Sequence, residues 1–361
     1  MEKQIYDPIH GYITLTPLQI KIIDTEEFQR LRDLKQLGAA FYVYPSATHT
    51  RFEHSLGVCH LAGETMRALA CNQPELKITK RDIEITEIAG LVHDLGHGPF
   101  SHLYDNYIKL ETEEEHEERG CEIFKKMVKK YSLPLTPHEV NRIRKMIKPK
   151  PSDNWCYQIV ANALNQIDVD KIDYIRRDCY HIGFPCGGEF SRIIMQCRVI
   201  DNILCYPNKA QYDIISLFMT RYRLHKRVYN HHVVKGYEFI IIKILKKLKE
   251  MNPSFMDLTD SVVLCKLHTQ FKEEQKKLWN RGHWRVVTPQ HINSEIQISE
   301  NKKLFVEKYK IGFVSGDKTN PLDNVWLYSL KSLTKKYKLS QDDNILPKDF
   351  QETGTRIFEE N

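Results

Sequence analysis

From Pro17 to about Leu248, apolar residues return every third or fourth position. Ile20, Ile23, Phe28, Leu31, Leu34 and Leu37 set the pattern, which predicts packed amphipathic helices. Asp24 and Thr25 stand where helix caps are expected. Further helices are predicted near 52–71, 82–94, 113–131, 138–147, 167–179 and 214–248, with breaks at Pro45, Pro99, residues 148–154 and residues 184–188. Residues 4–16 instead alternate polar and β-branched positions around Asp7-Pro8 and Gly11, as a short hairpin or extended arm would. The Asn252-Pro253 pair marks a boundary. Beyond it the text is mixed, with β-like runs near Arg285, Ile292, Leu304 and Ile311 and weak periodicity from Asn320. No internal repeat is found. The expectation is a mainly α fold: a helical body over 1–250 and a smaller mixed α+β lobe over 251–361.

Composition narrows the function classes only a little. Hydrophobic residues at 41% and charged residues at 28% fit a globular chain and argue against extensive disorder. The net charge of +6 permits an anionic ligand, nucleotide or nucleic acid, without identifying one. Nine cysteines without a C-x-x-C pair indicate neither a disulfide framework nor a cysteine zinc site. Reduced thiols in the cytoplasm are expected, with nuclear entry left open. The first fifteen residues do not read as a signal peptide. No apolar run approaches the roughly 20 residues of a membrane span, and Lys243 breaks the patch from Phe239 to Leu245.

Candidate chemistry concentrates in residues 89–102, an apolar helix that ends in His93, Asp94, His97 and His102. His93 offers an imidazole and Asp94 a carboxylate, a nitrogen and oxygen pair suited to a divalent transition metal rather than calcium. Two neighbours cannot complete a coordination sphere. His54 and Asp170, on other predicted helices, are the candidates to do so. Read alone, a His-Asp pair is a helix cap, and any single arginine is a surface salt bridge. Asp173 and Arg177, four residues apart, read as such a surface pair. The functional reading gains from phosphate-binding groups at helical spacing: Arg51 beside His54, Lys171, Tyr174 and Asp178 beside Asp170, and Arg221 with Tyr229 on another helix.

These segments resemble a known family. Asp7-Pro8-Ile9-His10-Gly11, Ile23-Asp24-Thr25, Phe28-Gln29-Arg30-Leu31-Arg32, Lys35-Gln36-Leu37-Gly38, the run from Arg51 to Val58, the block from His93 to His102, Ile167 to Lys171, and Thr220-Arg221 with His225 resemble the vertebrate SAM-and-HD-domain deoxynucleoside triphosphate triphosphohydrolases. The likeness covers about residues 3–235 and implies an HD-domain helical bundle with a short N-terminal hairpin. It implies His54, His93, Asp94 and Asp170 as ligands of iron, manganese, magnesium or zinc, with magnesium accompanying the nucleotide. Gln36, Arg51, Lys171, Tyr174, Asp178 and Arg221 would hold the dNTP. Leu37 and Tyr229 would wall out a 2′ hydroxyl. Asn230 is shorter than the family's Gln and leaves base preference open. His102 would protonate the leaving 5′ oxygen, with Asp105 orienting its ring and His97 and His116 as further active-site histidines. The acidic run from Glu111 to Glu115 before His116 reads equally as a solvated helix start.

The resemblance also implies an activator site for GTP or dGTP at Lys3, Asp24, Gln29 and Arg32, with Arg192, Lys209, Arg227, Arg281 and Arg285 as cations of the allosteric sites. Gln4, Pro207 and His232 replace an apolar residue, an arginine and a lysine of the family, which implies weaker or altered activation. A dimer or tetramer is the implied assembly, and weak single-stranded nucleic-acid binding would suit the positive charge. No SAM domain is expected before the HD body, and the C-terminal lobe is shorter than the family's. Two other functions compete: an HD phosphohydrolase acting on another nucleotide or single-stranded nucleic acid, and a non-catalytic nucleotide or nucleic-acid sensor.

Overall fold

A computed structural model describes residues 2–110, 113–251, 253–282, 284–287, 304–314, 319–339 and 349–360. The chain opens with an antiparallel hairpin, β1 (Lys3–Asp7) and β2 (Gly11–Leu15). Asp7 accepts the backbone N–H groups of Ile9 and His10, and Gly11 takes φ +72°, so the turn between them is closed by residues that tolerate it. Helices α1 (Pro17–Ile23) and α2 (Glu26–Gln29) follow. Thr25 caps α2 as expected, but Thr16 caps α1 and Asp24 closes its C-terminal end.

The body is built from α3 (Arg51–Asn72), α4 (Lys80–Val92), α5 (His116–Lys130), α6 (Pro137–Ile147), α7 (Val169–Ile182) and the short α8 (Ser191–Met195). Val58, Ile88, Leu91, Phe124, Ile143 and Ile175, all fully buried, form its core. Close packing of α3 on α4 depends on Gly90, where a Cβ would stand 2.9 Å from the Val58 carbonyl oxygen. Thr79, Thr136 and Asp168 accept backbone N–H groups at the starts of α4, α6 and α7.

Two departures from periodicity matter for the site. Residues 214–248, expected as one helical stretch, are α9 (Gln211–Leu224), a π-turn over His225–Tyr229 and α10 (His232–Glu250). No Gly or Pro announces the break, because the π-turn and the His231 cap make it from ordinary residues. A hairpin, β3 (Arg198–Ile200) and β4 (Ile203–Pro207), also interrupts the helical region. It turns through Asp201 and Asn202, both at positive φ, as two-residue hairpin turns require.

After residue 250 come α11 (Asp260–Gln270), α12 (Lys272–Trp279), β5 (Arg285–Val286), β6 (Leu304–Gly312), β7 (Trp326–Ser329), β8 (Ser332–Lys338) and β9 (Gln351–Glu359). The expected β-like runs at Arg285, Leu304 and Ile311 fall in β5 and β6, and the run at Ile292 lies outside the described residues. One sheet has the order β5-β9-β6. The other, β3-β4-β7-β8, pairs Tyr206 with Leu327 and so joins residues from both sides of position 250. A second apolar cluster packs Ile240, Ile241 and Leu245 of α10 against Phe100, Leu258 and Phe358. No described helix is long and apolar enough to cross a membrane.

Candidate active site

Three helices bring five side chains together. Arg51 and His54 share a face of α3, His93 and Asp94 follow the end of α4, and Asp170 lies in the first turn of α7. His54 Nε2 is 3.0 Å from Asp170 Oδ1 and 3.8 Å from Asp94 Oδ2, and His93 Nε2 is 3.4 Å from Asp94 Oδ1 and 3.5 Å from Asp170 Oδ1. Ligand atoms of His54, His93 and Asp94 lie within 4.8 Å of one another. The residues fit a divalent ion. His93 gives its Nδ1 to the Gly90 carbonyl and leaves a buried Nε2 with no hydrogen-bond partner, facing the carboxylates. Burial opposes charge on His54, yet its hydrogen bonds to Asp170 and Asp173 and the charge of Asp94 lift its pKa to about 10. Burial likewise opposes ionisation of Asp94, and Arg51, His93 and His97 outweigh it, holding that carboxyl well below the usual range. Carboxylate oxygens and imidazole nitrogens converging within a few ångströms of one another suit a bound cation.

Asp173 and Arg177, read from sequence as a surface pair, are both fully buried. Asp173 Oδ2 lies 2.7 Å from His54 Nδ1 and its Oδ1 2.6 Å from His10 Nε2, while Arg177 binds both Asp173 and Asp7. Helical spacing alone could not show that the N-terminal hairpin covers this face of α7. Asp173 follows Asp170 by three residues, and that one-turn interval was the available signal. The network fixes the ring of His54 from behind, with Nε2 toward the ion site.

Beside the ligands lies a second cluster. His97 Nε2 is 3.2 Å from Asp94 Oδ1, and the His97 and His116 rings stack with centroids 4.1 Å apart. His102 stands edge-on to His97 at 5.6 Å. Asp105, expected to orient His102, instead meets Arg119 at 2.7 Å, His116 Nδ1 at 3.3 Å and His97 Nδ1 at 3.7 Å. Asp105 lies in the π-turn over Tyr104–Ile108, and its charge still acts on His102 although its contacts go to Arg119, His116 and His97. His102 opens to the cavity, and the surrounding walls, then the charges of Arg51 and His116, push its imidazole down to about 4.

The remaining sequence candidates line the same cavity of about 640 Å³. Arg51 spans Asp94, at 2.6 Å, and the Ser101 hydroxyl, at 2.9 Å. Lys171 Nζ rests 3.3 Å from both oxygens of Asp168. Arg221 donates to the Gly312 carbonyl on β6, which brings the C-terminal strands to the pocket. Tyr229 donates to Asp178 at 2.5 Å, and Asp178 also meets His49 at 2.7 Å. Gln36 presents a buried, unpartnered Oε1, Leu37 and Tyr174 add partly buried walls, and Asn230 is held to the His225 carbonyl. His49, Lys235, Glu238 and Lys310 were not singled out from sequence. His49 holds Asp178, and the other three are pocket-lining charges from α10 and β6. Of the proposed activator residues, Arg32 Nε donates to Gln29 Oε1 at 2.8 Å and Arg192 donates to the Lys209 carbonyl at 3.0 Å. Lys3, Asp24, Arg32, Arg192, Lys209, Arg227, Arg281 and Arg285 are exposed, and Gln29 is partly so.

A helical bundle that presents His54, the His93-Asp94 pair and Asp170 to one cavity defines the HD-domain hydrolases, and the HD domain family matches residues 51–178, which contain all four. A Dictyostelium discoideum relative, "Deoxynucleoside triphosphate triphosphohydrolase SAMHD1 homolog", is 33% identical over 404 aligned positions, covering 99% of this chain and 77% of its own length. The Homo sapiens protein "Deoxynucleoside triphosphate triphosphohydrolase SAMHD1" is 32% identical over 439 positions, 99% of this chain and 70% of its own. A "Putative HD domain-containing protein L394" of Acanthamoeba polyphaga mimivirus is 38% identical over 280 positions, 72% of this chain and 61% of its own. The chain belongs to the SAMHD1 family of HD-domain enzymes.

Proposed function

We propose that this chain is a metal-dependent dNTP triphosphohydrolase that converts a dNTP into a deoxynucleoside and intact inorganic triphosphate, and that a guanine nucleotide activates it. The observation that carries the reading is one cavity in which the four ligands, the fixed cations Arg51, Lys171 and Arg221, and the histidines His97, His102 and His116 all meet. His54, His93, Asp94 and Asp170 would hold iron, manganese, magnesium or zinc. Such an ion, when bound, acidifies water and polarises a phosphoryl oxygen.

The protein's own groups do the rest. Arg51, already locked to Asp94 and Ser101, presents its guanidinium to the triphosphate without reorganising. Lys171 and Arg221 take the outer phosphates. Water adds at the α-phosphorus, the bond to the 5′ oxygen breaks, and His102 delivers a proton to that oxygen. With a pKa near 4 in the free protein, His102 is neutral at pH 7. A triphosphate against Arg51 offsets the guanidinium charge and raises the imidazole, so proton loading follows substrate binding. Tyr229, held by Asp178, and Leu37 both line the cavity, and placed against the sugar they would leave no partner for a 2′ hydroxyl.

The exposure of Lys3, Asp24, Arg32 and the later arginines supports activator nucleotides bound between copies of the chain, in a dimer or tetramer. Each dNTP is incubated with the manganese- or magnesium-loaded protein, with and without GTP, and products are identified by mass. Deoxynucleoside and triphosphate in equal amounts are expected, faster with GTP. Release of orthophosphate or pyrophosphate instead, or salt-sensitive binding of single-stranded nucleic acid without turnover, overturns the reading.

A further inference from the structure

The turn between the ligand pair His93-Asp94 and His102 is held from outside the HD family match. Phe100 and Ser101 both take φ +54°, a left-handed conformation that side-chain-bearing residues adopt only when their surroundings impose it. Asp260, fully buried in the first turn of α11, does part of the imposing. Its Oδ1 accepts the Phe100 N–H at 2.7 Å and its Oδ2 accepts the Lys35 N–H at 2.9 Å. Ser101 in turn donates to the Lys35 carbonyl at 3.1 Å and accepts from Arg51 Nε. A second tie lies next to it. The Arg30 guanidinium spans the His97 carbonyl and the Leu258 carbonyl, each at 2.8 Å.

We propose that Asp260, with Arg30 beside it, is a positioning residue for the reaction: by fixing the Phe100–Ser101 turn it sets the place of the His102 imidazole relative to the scissile bond. A carboxylate in a dry site that accepts two backbone N–H groups is a stiff anchor, since no water can replace either bond. Its two bonds reach different segments, the residue-35 loop below Arg51 and the turn leading into His102. Losing one lets the turn relax toward ordinary backbone angles and carries His102 with it. A displacement near 1 Å at a reacting group can cost about 100-fold in rate. The inference rests on the triphosphohydrolase reading above.

The test is a double-mutant cycle with D260N and H102A in the full-length, metal-loaded protein, with kcat and KM for a dNTP, metal content and the unfolding midpoint measured for each. D260N is expected to lower kcat roughly tenfold or more, with KM within about twofold. In the H102A background the same change should lower kcat by less than about twofold, because the group it positions is gone. An equal loss in both backgrounds overturns the proposal, since general destabilisation acts alike in each. If D260N does not fold, R30K runs through the same cycle: it keeps the charge but cannot span two carbonyls, and additivity there overturns the proposal equally. A wild-type protein that releases no triphosphate refutes the function reading, whereas normal turnover with an additive cycle refutes only the positioning role.

Discussion

Asp173 stands directly behind His54, its Oδ2 2.7 Å from His54 Nδ1, and neither residue is exposed to solvent. With an ion bound, the carboxylate would hold the proton on Nδ1 and leave Nε2, on the side of Asp94 and Asp170, free as a ligand. D173N keeps the shape but not the charge, and should weaken metal binding about 10- to 100-fold. Metal titration of the purified variant checks this, and unchanged affinity would remove Asp173 from the site. D173A leaves Arg177 with Asp7 alone in the core, so a further loss of about 3–5 kcal/mol in unfolding free energy is expected from denaturant titration.

For His102, replacement by Gln should lower kcat by about 10²- to 10⁴-fold while KM moves little, because the group acts on the leaving oxygen rather than on binding. The pKa near 4 has a second consequence. The free protein holds the neutral form throughout pH 5–8, so kcat/KM in that window should show no inflection that disappears in H102Q. Finding one would assign His102 a different protonation state.

Leu37 and Tyr229 both line the cavity, and on the proposed reading they exclude a ribose. Shortening Leu37 to Ala opens space on that side, and the ratio of kcat/KM for dNTP over NTP should fall roughly tenfold. Steady-state kinetics with a dNTP and its ribonucleotide counterpart measure the ratio. An unchanged ratio would place sugar selection on other residues.

Asp260 also makes stability depend on pH. Burial pushes its carboxyl up to about 6, against the opposing pull of the Phe100 and Lys35 N–H groups and the Lys35 charge. A folded-state value above the unfolded one favours the protonated form in the fold. Its contribution is therefore complete below about pH 4 and is lost as pH rises through 6. Relative to the non-titrating D260N, the wild type should lose about 3 kcal/mol of unfolding free energy between pH 4 and pH 7. Parallel urea titrations at the two values decide it. A constant difference between the proteins would mean that Asp260 ionises normally.

Much of the site was legible as residue types at intervals. His93 and Asp94 end an apolar helix, Arg51 precedes His54 by three, and Lys171, Tyr174 and Asp178 follow Asp170 along one helix, so local periodicity alone put them on common faces. The helical body was legible for the same reason. Asp173 was misread because a charged pair four apart looks the same on a solvated helix as on one roofed by a distant hairpin. Asp105 was assigned to His102 from spacing alone, whereas its contacts come from Arg119 and His116, which stand more than ten residues further along the chain, and from His97.

The sequence by itself determined most helices of the body, though not the break at His225–Tyr229, the β3-β4 hairpin or α11 and α12, and it determined which helix faces carry chemistry, because both depend on neighbours within a few residues. Only the tertiary structure decided what lies behind those faces. His10 reaches Asp173 across 163 residues, Arg221 meets Gly312 across 91, and Asp260 meets Phe100 across 160. Contacts of that range have no period to read. They arise where separate elements close over a polar group that water can no longer satisfy, so that each buried carboxylate must take its partner from wherever the fold supplies one.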